Sequence, residues 1–254
     1  MAFQYLGEIT GGLAPVVNLQ AAANVYQGQM LQYDIAVSGD VKPVVVANAG
    51  PATTATVCGI CLGSGRRTNP GTSLYDATYK GDLITYDVTQ ALLAVNDPVG
   101  AAIAQVQIIT PNSLIRGPIV KATVGTNPEC KACTTGSSTG LSFIIPTIDT
   151  TVNFFSTAYC RTGANRGEYR KITTGAVATQ TVIIPFTNDI AIGDTFCVVN
   201  VATGCAHIDF DTQFQGISSS AALSNYYVVY VHELNLEEAG KEYATFRFAP
   251  RHFL

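Results

Sequence analysis

Charged residues are scarce in this sequence. Lys, Arg, Asp and Glu make up 13% of its 254 residues, whereas 47% are hydrophobic. A surface with so little charge is typical of a protein that is partly covered by other chains. The composition therefore predicts a component of an assembly, formed either from copies of itself or within a larger particle.

The charge that is present contains no basic block. Residues 1–122 carry 6 basic and 7 acidic side chains, and residues 123–254 carry 8 and 11, so the net charge of −4 is spread evenly. Binding to nucleic acid needs clustered Lys and Arg that neutralise phosphates. We therefore expect no nucleic-acid partner.

Long apolar runs are missing as well. The opening MAFQYLGEIT has neither a positively charged start nor a continuous apolar segment, which predicts no secretory signal. No run approaches the roughly 18 apolar residues that a membrane-spanning helix needs. We expect a chain that is made in a cytoplasm and has no membrane partner.

Strand patterns dominate what remains. Short β-branched or aromatic runs, such as PVVVANA, DLITYDV, LSFIIPTI and NYYVVYVHELNL, alternate with clusters of Gly, Pro, Asn and Asp. This rhythm predicts an all-β fold of small barrel or sandwich modules with short antiparallel strands. Only LQAAANVY and NLEEAGKEY carry helix signals, and each predicts one short helix.

One segment breaks this rhythm. Val124–Gly140 is rich in Gly, Ser and Thr and has no periodicity, which predicts a linker or long loop over residues 124–142. It separates a predicted first module, residues 1–123, from a second, residues 143–254. The first module begins with an extended N-terminal arm, because Gly11, Gly12 and Pro15 disfavour regular structure.

Two short phrases share a pattern. VYQGQMLQYD (Val25–Asp34) and TYKGDLITYD (Thr78–Asp87) have Tyr, Gly, Tyr and Asp in common, at an offset of 79 − 26 = 53 residues. A common hairpin entry would produce such a match, but four aligned identities favour a repeated unit, around 25–62 and 78–109. Gln29 replaces Asp82 in the first copy, which argues against a pair of catalytic carboxylates.

Two stretches resemble phage proteins. The GD, apolar, Asp pattern of Gly81–Asp87, with looser matches at Gly59–Cys61 and Ala102–Ala104, resembles β-barrel modules of bacteriophage head decoration proteins. GEYRKITTGAVATQTVIIPFTNDIAIGDTFCVV, Gly167–Val199, is similar to a segment of many phage virion proteins. Together they cover roughly a third of the chain.

The resemblance implies a decoration, or cement, protein on the capsid surface that binds the major capsid protein and forms a homotrimer. It implies no enzymatic activity and no cofactor. A tail, fibre or connector component is the alternative within the virion. A carbohydrate- or receptor-binding β module is the alternative from another class.

Seven cysteines offer the strongest candidate chemistry. Cys58 and Cys61, with Cys130 and Cys133, form two CxxC pairs that could bind zinc as a Cys₄ site. The pairs lie 130 − 61 = 69 residues apart, and positions three apart on a strand point to opposite faces, so ordinary thiols are favoured over zinc. If disulfides form, Cys130–Cys133 and Cys160–Cys197 are the candidate pairs.

A last group of residues is predicted to contact partners. Arginines in polar loops would meet acidic neighbours, and the aromatic C-terminus would either close the domain's own core or dock on another subunit. The interface candidates are Arg66, Arg67, Phe246, Phe248, Arg251 and Phe253. A second set of basic residues flanks a predicted hairpin: Arg161, Arg166, Arg170 and Lys171.

Overall fold

The structure is a computed structural model. It describes residues 3–21, 25–34, 40–43, 57–64, 73–76, 81–84, 103–120, 128, 130–146, 156–175, 178–199, 204–208, 217–218, 227–250 and 253. Within these ranges the regular elements are β-strands, which confirms the predicted all-β class. Within the same ranges, no helix has the length and apolar character to cross a membrane.

The two predicted helices do not form where the structure describes them. Leu19 and Gln20 of LQAAANVY end a strand, and the described part of NLEEAGKEY is a strand end followed by a turn. In that turn the amide of Lys241 donates to the carbonyl of Glu238 at 3.2 Å. Helix propensity over so few residues is too weak to outweigh the pairing of adjacent strands.

The chain divides into two compact units. The first comprises Met1–Gly117, Phe210–Gln215 and Arg247–Leu254, and the second comprises Pro118–Asp209 and Gly216–Phe246. This division differs from the predicted boundary, which placed all of residues 143–254 in the second module. The last eight residues, Arg247–Leu254, belong to the first unit instead. The described part of the predicted linker, residues 124–142, belongs to the second unit and contains strand residues.

The first unit is built from nine strands and the beginning of a tenth among its described residues. They are β1 (Gln4–Glu8), β2 (Val16–Gln20), β3 (Val25–Tyr26), β4 (Met30–Asp34), β5 (Asp40–Pro43), β6 (Val57–Ser64), β7 (Ser73–Asp76), β8 (Gly81–Ile84), β9 (Ile103–Ile108) and β10 (Ser113–Val120). An antiparallel sheet has the order β2-β9-β6-β4-β5, and a smaller one has the order β3-β8-β7. β1 pairs with β10.

A bulge in β6 shapes the core of the first unit. Leu31 lies opposite Gly59 while its neighbour Gln32 lies opposite Val57, so Cys58 is the extra residue. Cys58 and Cys61 consequently pack into the same buried aliphatic cluster, although a regular strand would place them on opposite faces. Gly59 allows β9 to approach closely, because a Cβ there would lie 2.3 Å from the Gln107 carbonyl oxygen.

The repeated phrases meet in the smaller sheet. β3, from the first copy, pairs antiparallel with β8, from the second. Gly28 has a φ of 81° in the turn after β3, and the Gln29 side chain closes this turn by accepting from the Tyr26 amide at 2.7 Å. Gly28 thus occupies a turn, whereas Gly81, its counterpart in the second copy, begins β8. Tyr79, Tyr86 and Asp87 lie outside the described residues, so the repeat as a whole stays a prediction.

The N-terminal segment is anchored and is not the predicted extended arm. It forms β1 and β2, joined by a loop in which Gly11 and Gly12 have φ values of 85° and 91°. The Glu8 carboxylate accepts hydrogen bonds from the hydroxyls of Tyr5, Thr110 and Ser113. These part-buried hydrogen bonds fix the path of the loop.

Gln107 provides a second anchor for this loop. Its side chain is buried, and its Nε2 donates to the carbonyl of Ala14 at 2.9 Å and to that of Pro15 at 3.3 Å. The Tyr5 hydroxyl also accepts from the Ala14 amide at 2.8 Å. Residues 8–15 therefore have a defined conformation on the surface of the first unit.

The second unit contains the remaining strands, except for the last two residues of the final strand, which belong to the first unit. They are β11 (Cys130–Ala132), β12 (Ser142–Ile144), β13 (Thr157–Cys160), β14 (Tyr169–Gly175), β15 (Thr179–Val182), β16 (Thr195–Val199), β17 (Gly204–Ile208), β18 (Ile217–Ser218), β19 (Tyr227–Asn235) and β20 (Tyr243–Phe248). One antiparallel sheet has the order β11-β16-β13-β14-β15-β12. β20, β19 and β17 are successive neighbours in another sheet, and β18 runs parallel to the end of β10.

Three phenylalanines form the centre of the larger sheet's core. The rings of Phe143 and Phe196 stack with centroids 4.0 Å apart, and Phe186 meets both edge-on. Arg170 lies over the Phe186 ring at 5.1 Å and donates to the Pro185 carbonyl at 2.9 Å. Arg170 thus holds the residues that follow β15.

Replacing Glu8 with Gln should lower the free energy of unfolding at neutral pH by about 1 kcal/mol, because three hydroxyls lose a charged acceptor that is partly screened by solvent. Burial raises the pKa of Glu8, but the hydrogen bonds from Ser113, Thr110 and Tyr5 outweigh it and hold the pKa below its ordinary value. A lowered pKa stabilises the fold above the unfolded-state value, and this contribution disappears as the pH falls through the folded-state value.

Urea unfolding followed by circular dichroism from neutral to acidic pH measures this effect. The difference between wild type and Glu8→Gln should shrink as the pH falls below 4.5, the ordinary value for this carboxyl. Glu238→Gln, which removes an exposed ion pair with Lys241, is the matched control and should change little. A difference that is independent of pH would contradict the role given to Glu8.

Candidate functional site

Two cysteines face each other across the larger sheet of the second unit. Cys130 on β11 lies directly opposite Cys197 on β16. The Cys133 amide donates to the Asp194 carbonyl at 2.7 Å, and this sets the alternation of hydrogen bonds along the ladder. Cys130 and Cys197 therefore form a pair without mutual backbone hydrogen bonds, the kind in which side chains approach most closely.

A buried ion pair adjoins the two thiols. Arg161, directly after β13, donates from Nη2 to Glu242 Oε1 at 2.7 Å and from Nε to the Leu236 carbonyl at 2.7 Å. Glu242 Oε2 accepts from the Gly240 amide at 2.9 Å. The exposed fractions of the two side chains are only 11% for Arg161 and 1% for Glu242, so solvent screens their attraction weakly.

These groups form one cluster, which we call the dithiol cluster: Cys130, Cys197, Arg161 and Glu242. The two sulfur atoms and a carboxylate oxygen of Glu242 all lie within 4.8 Å of one another. Cys197 is fully buried, whereas Cys130 is half-buried. Of the two thiols, Cys130 is therefore the one that a reagent in solution can reach.

The cluster shifts the pKa values of its two thiols in opposite directions. The hydrogen bond from the Cys197 thiol lowers the pKa of Cys130, and the positive charge of Arg161 adds to this, against the opposing effects of burial and of Glu242. The same hydrogen bond, together with burial, raises the pKa of Cys197. Cys130 is therefore the thiol that ionises first, and Cys197 keeps its proton.

The predicted zinc ligands do not come together among the described residues. Cys58 and Cys61 lie in the first unit, where burial raises the pKa of Cys58 to about 12. Cys133 is buried in the core of the second unit and donates to the Thr135 carbonyl at 2.9 Å. In the described part of the chain, the sulfur and oxygen ligands that do converge are those of Cys130, Cys197 and Glu242.

Neither candidate disulfide is formed: Cys130, Cys133, Cys160 and Cys197 are free thiols. Cys160 lies opposite Phe196, one residue before Cys197, so Cys160 and Cys197 point to opposite faces of the sheet. Burial raises the pKa of Cys160 to about 11. The register pairs Cys197 with Cys130 instead, and nothing in the sequence spacing indicates that register.

Two of the three aromatic interface candidates are core residues. Phe246 and Phe248 are almost completely buried within the chain, which corrects their assignment as contact residues and answers the question the sequence left open for them. Phe253 is half-buried, and its ring meets that of Phe248 edge-on at 6.2 Å. Arg66, Arg67 and Arg251 lie outside the described residues.

Three of the four basic residues that flank the predicted hairpin contact acidic groups of their own chain. The hairpin is formed by β13 and β14. Beyond Arg161, Arg170 pairs with Glu168, and Arg166 lies 3.5 Å from Glu237 at an exposed position. These side chains hold the loops of the second unit in place.

Large apolar side chains remain exposed in both units. In the first unit they lie in or next to the anchored loop of residues 8–15, which we call the apolar loop. They are Leu6, Ile9, Leu13 and Val16. Leu13 is 81% exposed. In the second unit, Ile183, Ile184 and Ile192 are exposed, with values of 65% for Ile184 and 75% for Ile192.

The fold and these sites define an all-β protein of two compact units, with a buried dithiol cluster in the second and exposed apolar side chains in both. Comparison with known proteins identifies no matching family model, no similar curated protein and no similar solved structure.

Replacing Arg161 with Met should lower the free energy of unfolding by about 3 kcal/mol, because it leaves the buried Glu242 carboxylate without its partner. Arg166→Met, which removes an exposed ion pair, is the matched control and should cost less than about 1 kcal/mol. The double variant Arg161→Met/Glu242→Leu should recover part of the loss.

Urea unfolding under reducing conditions, followed by circular dichroism, measures these three variants and the single variant Glu242→Leu. The prediction fails if Arg161→Met is no more destabilising than Arg166→Met. It fails as well if the effects of Arg161→Met and Glu242→Leu simply add in the double variant.

Proposed function

We propose that this chain is a non-enzymatic structural protein of a bacteriophage virion. It decorates the capsid surface, binds the major capsid protein and stabilises the shell by bridging neighbouring capsid subunits, as a homotrimer assembled in the host cytoplasm. The resemblance of Gly81–Asp87 and Gly167–Val199 to virion proteins motivates the proposal. The observation that carries it is the exposure of apolar side chains on an anchored loop.

The apolar loop is prepared for contact with another chain. Glu8 and Gln107 fix its backbone, while Ile9 and Leu13 project into solvent. Burying a leucine side chain is worth about 1.5–3 kcal/mol. Because the loop is already ordered, little conformational entropy is lost when a partner covers it.

The second unit supports the same interpretation. Ile183, Ile184 and Ile192 are exposed within a chain that has few charges to keep an apolar surface in water. Two units with exposed apolar groups give one chain more than one contact surface, which is what bridging neighbouring subunits requires. We therefore assign its activity to the burial of surface between subunits.

The charged side chains in the described part of the second unit support a structural role. Arg161 and Glu242, Arg170 and Glu168 are paired within the chain and hydrogen-bonded to loop carbonyls or amides. Pairs of this kind fix loop geometry. We assign them to the support of the surface rather than to catalysis.

Capsids assembled without this chain provide the test. Adding the purified chain should raise their melting temperature, measured by scanning calorimetry, to a plateau at a fixed number of chains per capsid. An unchanged melting temperature would overturn the proposal. Binding to purified tails in place of capsids would also overturn it and would favour the tail component.

Leu13→Asp should weaken capsid binding at least tenfold, because losing about 1.5–3 kcal/mol of apolar burial changes affinity by that factor or more. Thr10→Asp introduces the same charge at an exposed position of the same loop and is the matched control. Co-sedimentation with capsids over a range of concentrations measures both affinities. Equal affinities for the two variants would show that the apolar loop is not the contact surface.

A further inference from the structure

We propose that Cys130 and Cys197 are a thiol modification site, which reacts with low-molecular-weight disulfides of the glutathione class and closes to a Cys130–Cys197 disulfide. The site is separate from the apolar surfaces of the proposed function. It can be tested on the purified chain alone, so failure of either proposal leaves the other standing.

The sheet register already satisfies the geometry of this bond. Opposed residues in a pair without mutual hydrogen bonds have Cα atoms about 4.5 Å apart. Disulfides join Cα atoms about 4.4–6.8 Å apart. Cys130 and Cys197 occupy such positions, and their sulfur atoms lie within 4.8 Å, so the bond needs no shift of strand register.

The surroundings divide the chemistry between the two thiols. Cys197 from β16, Arg161 after β13 and Glu242 before β20 are the titratable or charged groups that act on Cys130. The Cys197 thiol donates a hydrogen bond to Cys130, and the guanidinium of Arg161 is held beside it by Leu236 and Glu242. Cys130, which solvent reaches, is the attacking thiolate, and buried Cys197 resolves the intermediate.

The reaction balances as two exchanges. The Cys130 thiolate attacks one sulfur of the small disulfide, which forms a mixed disulfide at Cys130 and releases one small thiolate. Cys197 then passes its proton to that thiolate and attacks Cys130 Sγ, which releases the second small thiolate; this takes up the proton that Cys130 had lost to solvent. Two protein thiols are oxidised, and one small disulfide is reduced to two thiols.

A divalent metal ion is the rival occupant, and the cluster disfavours it. Both oxygens of Glu242 already accept hydrogen bonds, from Arg161 and from the Gly240 amide. The Arg161 cation would also lie next to the metal and repel it. These contacts favour the disulfide over the metal.

The bond would stabilise the larger sheet of the second unit. It would join β11 to β16 and close a loop of 197 − 130 = 67 residues, which contains β12, β13, β14 and β15. Closing so long a loop restricts the unfolded chain strongly. Oxidised protein should therefore unfold at a higher urea concentration than reduced protein.

The experiment treats folded, reduced chain with oxidised glutathione and maps the cysteines by peptide mass spectrometry. We expect one Cys130–Cys197 disulfide per chain, a loss of two hydrogen atoms in mass and a higher urea midpoint. Cys197→Ser should stop at a single glutathione adduct on Cys130. Cys133→Ser changes a thiol just beyond β11 and is the matched control; it should still close the bond.

The rate of the first exchange tests the role of Arg161. Arg161→Gln should slow modification of Cys130 at neutral pH severalfold, because the positive charge of Arg161 adds to the hydrogen bond from Cys197 in lowering the pKa of that thiol. Arg166→Gln, at an exposed position of the same hairpin, should leave the rate unchanged. Equal rates for the two variants would overturn the role of Arg161 in activating Cys130.

Two further outcomes would overturn the proposal. The first is that Cys130 and Cys197 stay unlinked in wild-type chain treated with excess oxidised glutathione. This result would overturn the proposal whatever the variants show. Binding of one zinc ion per reduced chain would replace the proposed disulfide with a metal site, if two conditions hold. The binding must be lost in both Cys130→Ser and Cys197→Ser, and the bound zinc must protect both thiols from glutathione. Wild-type mapping keeps the test valid even if a variant fails to fold.

Discussion

The ion pair between Arg161 and Glu242 is the interaction on which the second unit depends most. It ties the residue after β13 to the residue before β20, and through the Leu236 carbonyl it also fixes the turn between β19 and β20. A buried charge is tolerated only when its partner and its hydrogen bonds are in place. The same arginine also helps to lower the pKa of Cys130, after the hydrogen bond from Cys197, so one residue contributes both to folding and to thiol chemistry.

The few charged side chains of this protein hold its loops in place, while several large apolar side chains stay exposed to solvent. Glu8 holds the apolar loop through three hydroxyls, and Arg170 holds the segment around Pro185. These charged side chains are directed toward their own chain, whereas Leu13 and Ile192 remain exposed on the surface. This division explains how a rigid fold and exposed apolar side chains coexist, and our proposal that the chain takes part in an assembly depends on these side chains.

The sequence predicted the fold class but little of the site. Alternation and turn residues identify strands such as β14, β15 and β16, because those signals are local. The pairing of Cys130 with Cys197 depends on register between strands 67 residues apart, and the bulge at Cys58 reverses an inference drawn from regular alternation. Arg161 looked like a surface residue because its partner, Glu242, is distant in sequence.

Hydroxyl-radical footprinting of the assembled particle tests the central claim most directly, because it reads the solvent exposure of individual side chains. Leu13 and Ile192 should be modified strongly in the free chain and weakly in the chain bound to capsids, while buried Phe246 stays unmodified in both. Equal modification of Leu13 and Ile192 in the free and bound states would contradict the account.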